Sequence, residues 1–216
     1  MKIALPRVSE NMSVEYDIMK FVKSVRENDG TVRNVIFKDL WLESEDMSYL
    51  SFENVIFENC RICDCDLEKT SFTDVIFEKC DFSNSDFNSS YFCRCEFNSG
   101  KLVGSQFRDV IIKDMSLKST SLMYAVLSSC RISPAKTLSC DFSDAELIKC
   151  SLKAFSVSNC RFARTNFFGT ALGGIDFSDS ELNGIKVSDG FRELKNAVVS
   201  PEQAAELSLL LGIKIK

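Results

Sequence analysis

Two periods in the sequence, one of five residues and one of twenty, run beneath an unbroken column of large apolar side chains. Together they predict an all-β chain wound as a stacked, four-sided coil. The five-residue period is the stronger signal. Stepping by five from Phe37 to Val187 meets 31 residues, and only Thr137 among them is polar. Fourteen of the 18 phenylalanines fall in this column, in a chain that is 45% hydrophobic. Neither the 3.6-residue helical period nor the two-residue strand period divides five, so an ordinary helix or a flat half-buried strand would carry this column out of the core. The chain must turn a corner once per repeat. The twenty-residue period is carried by Asn34-Val-Ile-Phe37, Asn54-Val-Ile-Phe57 and Asp74-Val-Ile-Phe77, as expected when the same side returns after four corners.

A second column lies two residues before the first and is small or apolar: Cys60, Cys65, Thr70, Val75, Cys80, Ser85, Ser90, Cys95 and, further on, Cys130, Ala135, Cys140, Ala145 and Cys150. Eight of the ten cysteines occupy it. The intervening positions are mostly Asp, Glu, Asn, Ser, Lys or Arg, so the unit reads small, polar, large apolar, polar, polar. Coils stacked at the spacing of hydrogen-bonded strands, about 4.8 Å, give about eight coils and a rod of roughly 40 Å.

The repeat sets the organisation: an N-terminal capping segment over 1–30, the coil over 31–190, and a C-terminal helix and tail over 191–216. In the first segment Val14, Ile18, Phe21, Val22 and Val25 have helical spacing. The outward column Ile36, Ile56 and Ile76 offers this segment a landing site, or simply suits strand geometry with its β-branched side chains. Within the coil, Pro134 removes a ladder donor and Thr137 replaces a large residue. A kink is expected there, with a small bulge if Leu138 turns inward in place of Thr137. At the C-terminus Ser200 reads as an N-cap, Pro201 as the first helical residue, Gln203 as the partner in a capping box and Gly212 as the stop, which predicts a helix over about 201–211. Leu207, Leu210, Leu211, Ile213 and Ile215 give this end more apolar surface than a cap needs, and dimerisation through it is expected.

Composition narrows the chemistry. The 216 residues contain no histidine, which removes Ser-His and Cys-His dyads and histidine metal sites. A net charge of −5 has the wrong sign for direct binding of nucleic acid over the whole surface. No run of 18 apolar residues is present, and the first residues lack the apolar stretch of a signal peptide, so the chain reads as cytoplasmic with no membrane partner and its thiols as reduced. Cys60, Cys63 and Cys65 resemble a metal motif, but the repeat points Cys60 and Cys65 inward on adjacent sides and Cys63 outward, so no metal and no cofactor is expected. A rod without inserted loops offers no catalytic cleft, and no enzyme activity is expected.

Charge is the informative surface feature. Residues 37–99 hold 14 acidic against 5 basic residues, and residues 100–190 hold 9 against 11. Asp46, Asp66 and Asp86 occupy one outward position on successive coils, with Asp64 and Glu68 beside them. Like charges that close lie inside the Debye length of about 8 Å and cost stability unless something uses them. These five carboxylates are the candidate contact with a partner. The bland alternative is a solvated face of a repeat that favours Asp before its large residue.

The units CDFSN, SDFNS, CDFSD, AELIK and SELNG resemble the pentapeptide-repeat family, a resemblance that covers about residues 31–190 and implies a right-handed quadrilateral parallel β-helix with a short C-terminal α-helix. The ending Asn183-Gly-Ile-Lys-Val187, Val199-Ser-Pro-Glu-Gln-Ala204 and Leu211-Gly-Ile-Lys-Ile215, with the opening Val32-Arg-Asn-Val-Ile-Phe37, is similar to the quinolone-resistance (Qnr-like) type, in its loop-free versions from Gram-positive bacteria. That resemblance implies a homodimer joined at the C-terminal ends, whose acidic surface imitates duplex DNA and binds the type II topoisomerases DNA gyrase or topoisomerase IV, protecting the enzyme from quinolones or inhibiting it. This chain departs from the pattern in its modest net charge and in holding its acid in the N-terminal half. A general interaction scaffold with an unrelated partner is the alternative.

Overall fold

The computed structural model describes residues 2–28 and 30–214. The chain forms a parallel β-solenoid of about seven turns, closed at its start by one helix and at its end by another. Each residue of the main sheet pairs with the residue twenty positions later: Phe37 with Phe57, Phe57 with Phe77, Phe77 with Phe97 and Phe97 with Leu117. Four sides of five residues make one coil, represented in the first coil by 30–34, 35–39, 40–44 and 45–49.

The corners follow from the fifth position of the repeat. Asn34, Asp39, Ser44 and Tyr49, and most of their equivalents along the rod, have φ near +55°. Left-handed backbone is costly for most L-residues and least so for Asn, Asp and Gly, which explains why this position is so often Asn, Asp or Ser, with Gly at 104, 169 and 184.

The second column has a chemical reason as well as a steric one. Most of its hydroxyls and thiols donate to the carbonyl oxygen of the large residue 23 positions earlier, one coil back, among them Thr70 to Met47 (3.1 Å), Ser85 to Ile62 (2.9 Å), Ser90 to Leu67 (2.8 Å), Cys130 to Phe107 (2.9 Å) and Thr165 to Phe142 (2.7 Å). A small side chain with one donor fills the corner and satisfies a carbonyl that would otherwise be buried without a partner.

The interior is a set of aromatic stacks. Phe77 and Phe97 lie 4.0 Å apart at 10°, Phe72 and Phe92 4.8 Å at 15°, Phe87 and Phe107 4.9 Å at 4°, while neighbours around one coil, such as Phe72 and Phe77, meet edge to face at 68°. Vertical partners therefore stack and lateral partners interlock, both favourable geometries for aromatic quadrupoles.

The N-terminal segment departs from its expected landing site. Ser13–Glu15 forms a strand parallel to Val35–Phe37, so Val14 belongs to a strand and not to the helix. Asp17 Oδ1 then accepts from the amides of Met19 (3.0 Å) and Lys20 (3.4 Å), which starts helix α1, Met19–Asn28. Ile18, just before this helix, and Val22 within it are buried in the core and Phe21 lies edge-on to Phe37 at 5.5 Å, so the segment covers the open end of the aromatic interior and not the Ile36 column. Upstream of it, the chain runs along the corner between the first and second sides. The amides of Ser9, Arg7 and Ala4 donate in turn to Asn54 (2.8 Å), Asp74 (3.0 Å) and Asp114 (2.8 Å), spanning coils that are successively further along the rod.

The break at Pro134 is milder than expected. The Ser133–Pro134 peptide is cis, and Arg131–Ile132 and Ala135–Leu138 on either side both keep the twenty-residue register. Thr137 stays fully buried and Leu138 stays outside, so no bulge forms. The Thr137 hydroxyl donates to the Ser156 carbonyl (3.3 Å) and accepts from the Cys160 thiol (3.4 Å), which satisfies it inside the rod.

The coil register ends after Val187. Leu172 donates to Glu193 and Phe177 to Val198, 21 residues on, where earlier coils use 19. The extra residues form a short 3-10 turn, Arg192–Leu194, and the buried Glu193 carboxylate ties it down by accepting from Gly169 N (2.8 Å) and Ser188 Oγ (2.8 Å). Helix α2, Pro201–Ser208, follows with the expected Ser200–Gln203 capping box and a 3-10 turn to Leu211. Gln203 also donates its side-chain amide to the Phe177 (2.9 Å) and Ser180 carbonyls. No helix among the described residues is long and apolar enough to cross a membrane.

Two measurements check this packing. Phe77→Ala should lower the unfolding free energy by about 3–5 kcal/mol in urea titration, while the half-exposed Phe168→Ala should stay within about 1 kcal/mol of the parent. Asp74, which burial alone would push up, is held below the usual carboxylate range by Arg94, with two bonds of 2.6 Å, and by the Arg7 amide. Its contribution is thus complete above the unfolded value near about 3.9 and fades as pH falls through the lower folded value. Hydrogen-exchange protection at the Arg7 amide should fall in that acid range, and Asp74→Ala should remove it at all pH; protection unchanged in the variant would refute the tie.

Candidate functional site

The acidic residues singled out by their spacing come together on two sides of the rod. Asp46 pairs with Asp66 and Asp66 with Asp86 as bridges between successive coils, so the three carboxylates form one column on the fourth side. Glu68 lies two residues on from Asp66 on the same side, and Asp64 turns the corner leading into it with φ of 56°. Gln106 and Glu146 occupy the same position further along the rod, with Val126 between them and Asn166 and Lys186 beyond, so the continuous acidic run ends at Asp86.

Each Asp of the column also has a local duty. Asp46 Oδ1 accepts from the amide (2.9 Å) and hydroxyl (2.6 Å) of Ser48, Asp66 Oδ1 from the amide of Glu68 (2.8 Å), and Asp86 Oδ1 from the amide of Asn88 (2.7 Å). One carboxylate oxygen thus fixes the turn, as Asx turns do; the other is left for solvent or a partner at Asp46 and Asp66, while Asp86 Oδ2 accepts from the Asn88 side-chain amide (3.0 Å). Hydrogen bonds from Ser48, with help from Arg26, hold the Asp46 carboxyl below its usual range. Arg26 of helix α1 pairs with Asp46 at 2.9 Å. Among the described residues neither Asp66 nor Asp86 has a cation within 4 Å, while Glu68 pairs with Lys69 at 3.0 Å. Within the column, the carboxylates without a cation partner among the described residues are Asp66 and Asp86.

Column spacing alone leaves out part of this face. Glu43, Glu45 and Asp81 share it, on the third and fourth sides of the same coils. Residues 40–49, 60–69 and 80–89 hold eight carboxylates against Arg61 and Lys69, net −6; the other two sides, 30–39, 50–59 and 70–79, hold five against three, net −2. Sorting the charges by side as well as by half would have found them. Trp41, the single tryptophan, stands on this face with 73% of its surface exposed and the Arg61 guanidinium over its ring at 5.2 Å. Tyr49, 66% exposed, has the Lys69 ammonium over its ring at 4.9 Å. Nothing in a five-residue repeat distinguishes these two from any other outward residue.

The cysteine cluster does not converge. Cys60 and Cys65 point inward as expected, but Cys63 is buried too, contrary to the outward position its place in the repeat implied: its thiol is directed to the Asp81 carbonyl at 3.7 Å, beneath the next coil. Burial pushes Cys63 up to about 11 and Cys95 up to about 12, which disfavours the thiolates that bind metals or react with electrophiles. All ten cysteines are unpaired thiols.

At the C-terminal end Leu207 is half-buried against the rod, so it belongs to this chain's own packing. Leu210, Leu211 and Ile213 are exposed, together with Leu209; Ile215 lies outside the described residues.

Comparisons with known proteins agree with this architecture. A family model described as Pentapeptide repeats matches residues 51–88, 76–114 and 140–184, ranges that join into 64 and 45 residues and so just over half of the chain. No curated protein matches. Among solved structures, a trypsin-treated variant of QnrB1, a plasmid-mediated fluoroquinolone resistance protein, is similar with 20% identity and a TM-score of 0.54 over 85% of this chain and 91% of that one. Full-length QnrB1 is similar with 19% identity and a TM-score of 0.50 over 98% and 99%. Identities this low speak for the fold alone. The repeat, the coil it builds and the family match together place this chain in the pentapeptide-repeat family.

Proposed function

We propose that the protein is a non-catalytic binding module whose acidic face occupies the DNA-binding surface of a type II topoisomerase, DNA gyrase or topoisomerase IV, and so modulates quinolone sensitivity. The observation that carries this reading is the column Asp46, Asp66 and Asp86 with Asp64 and Glu68 beside it. A DNA-binding surface is lined with cations placed to meet regularly spaced phosphates. Carboxylates repeated at about 4.8 Å on a rigid rod, with the Asp of the column held by their turn hydrogen bonds, present such a surface with negative charge already in place. Rigidity matters because little side-chain entropy is lost on binding. The fold shared with QnrB1, itself a fluoroquinolone resistance protein, supports the same reading.

Leu210, Leu211 and Ile213 join two copies in this reading, so that the acidic faces sit towards the two far ends of the dimer. The contact with the enzyme is therefore made at the rod ends and not across a continuous central stripe, and it involves the N-terminal coils.

The test is a gyrase supercoiling assay with and without a quinolone. The protein should change supercoiling or its quinolone inhibition in a manner that fades as salt rises. Asp46, Asp66 and Asp86 changed together to Asn should abolish the effect while leaving the circular dichroism spectrum and thermal midpoint intact, because Asn Oδ1 still accepts the turn hydrogen bond. An effect that survives the triple substitution, or a parent protein without effect, rules the reading out.

A further inference from the structure

The perimeter of the coil is fixed by four sides of five residues, so the interior cross-section cannot shrink when smaller side chains fill it. Between Phe107 and Phe142 they are smaller. The stack Phe37, Phe57, Phe77, Phe97 continues as Leu117 and Thr137; Phe52, Phe72, Phe92 continues as Ile112 and Ile132; Phe87 and Phe107 continue as Leu127 and Leu147. The coil of Ile112, Leu117, Leu122 and Leu127 contains no aromatic inward residue at all. A cavity of about 40 Å³ remains, walled by Phe97, Met115, Leu122, Leu127, Ile132 and Leu147 among other apolar side chains.

We propose that this void is a binding site for one small, uncharged, apolar molecule, of the size of a noble-gas atom, dioxygen or methane. Three physical facts fix that class. The volume exceeds the 10–15 Å³ or so a single water needs, but a buried water also requires two to four polar partners, and the lining supplies hydrocarbon and one thioether. The void is therefore dry. It is far below the roughly 150 Å³ of an apolar cavity that takes benzene, which excludes aromatic rings and fatty chains. An occupant recovers the dispersion contacts that the lining atoms otherwise lack, with the polarizable Met115 sulfur as the best of them.

Xenon is the probe. In methyl-resolved NMR of the full-length protein under xenon pressure, the Met115, Leu122 and Ile132 methyl signals should shift saturably while those of the aromatic-rich N-terminal coils stay still. Leu117→Phe extends the stack below Phe97 into the void and should abolish the shifts; Leu122→Phe, in the column that already holds Phe82 and Phe142, does the same should the first variant not fold. A xenon-derivatised crystal locates the atom independently. Methyl signals that do not respond, shifts that persist in both folded variants, or water density in the void would overturn the proposal.

Discussion

Everything in this molecule depends on a fixed perimeter. Because residue n hydrogen-bonds to the coil that begins twenty residues later, every coil must spend the same number of residues on its circuit, and every side must spend five. A fifth residue in left-handed conformation turns nearly every corner, a large apolar residue fills the centre of all but one side, and where the small residue beside it is Ser, Thr or Cys it commonly satisfies a carbonyl of the coil before. None of these roles can drift by one position without moving a phenylalanine into water. This is why the repeat holds through Thr137 and a cis Ser133–Pro134 peptide: the hydrogen-bonded ladder on both sides enforces the register, and the Thr137 hydroxyl finds partners where it stands.

The same constraint turns sequence into a surface map. Outward residues twenty apart become vertical neighbours, so a column of Asp becomes a column of charge at strand spacing. The surface is used for complementary pairs elsewhere: Asp144 with Arg164 through bonds of 2.7 and 2.6 Å, Arg161 with Glu181 at 2.8 Å and Asp74 with Arg94 at 2.6 Å are all twenty-residue partners. Against that background the repetition of like charge at 46, 66 and 86 stands out. The turn hydrogen bonds explain why Asp suits the position, but Asn166 makes the same bond to the Phe168 amide without a charge, so turn geometry alone does not require carboxylates.

The coil was legible because its signal is a period, and thirty apolar residues in one column leave little freedom. The helix at the C-terminus was legible because capping chemistry is local. What could not be read was whatever depends on contacts between distant residues with no repeat behind them. The strand at Val14 imitates helical spacing; the path of residues 4–9 along the corner relies on single backbone donors; Glu193 reads as a surface residue until Gly169 and Ser188 are brought to it. The acidic column was visible, whereas the breadth of the acidic face and the exposed Trp41 beside it required knowing which sides adjoin.

The most direct test of the account is a charge scan across one side. Asp placed singly at Val75, Ile76, Phe77, Glu78 and Lys79, with unfolding followed by circular dichroism in urea, asks which of five successive positions face the interior. Loss of the cooperative transition at Val75 and Phe77, with Ile76, Glu78 and Lys79 retaining a folded baseline, is the pattern a four-sided coil requires. A cooperative transition that survives Asp at position 77, or one lost equally at 78 and 79, would contradict it.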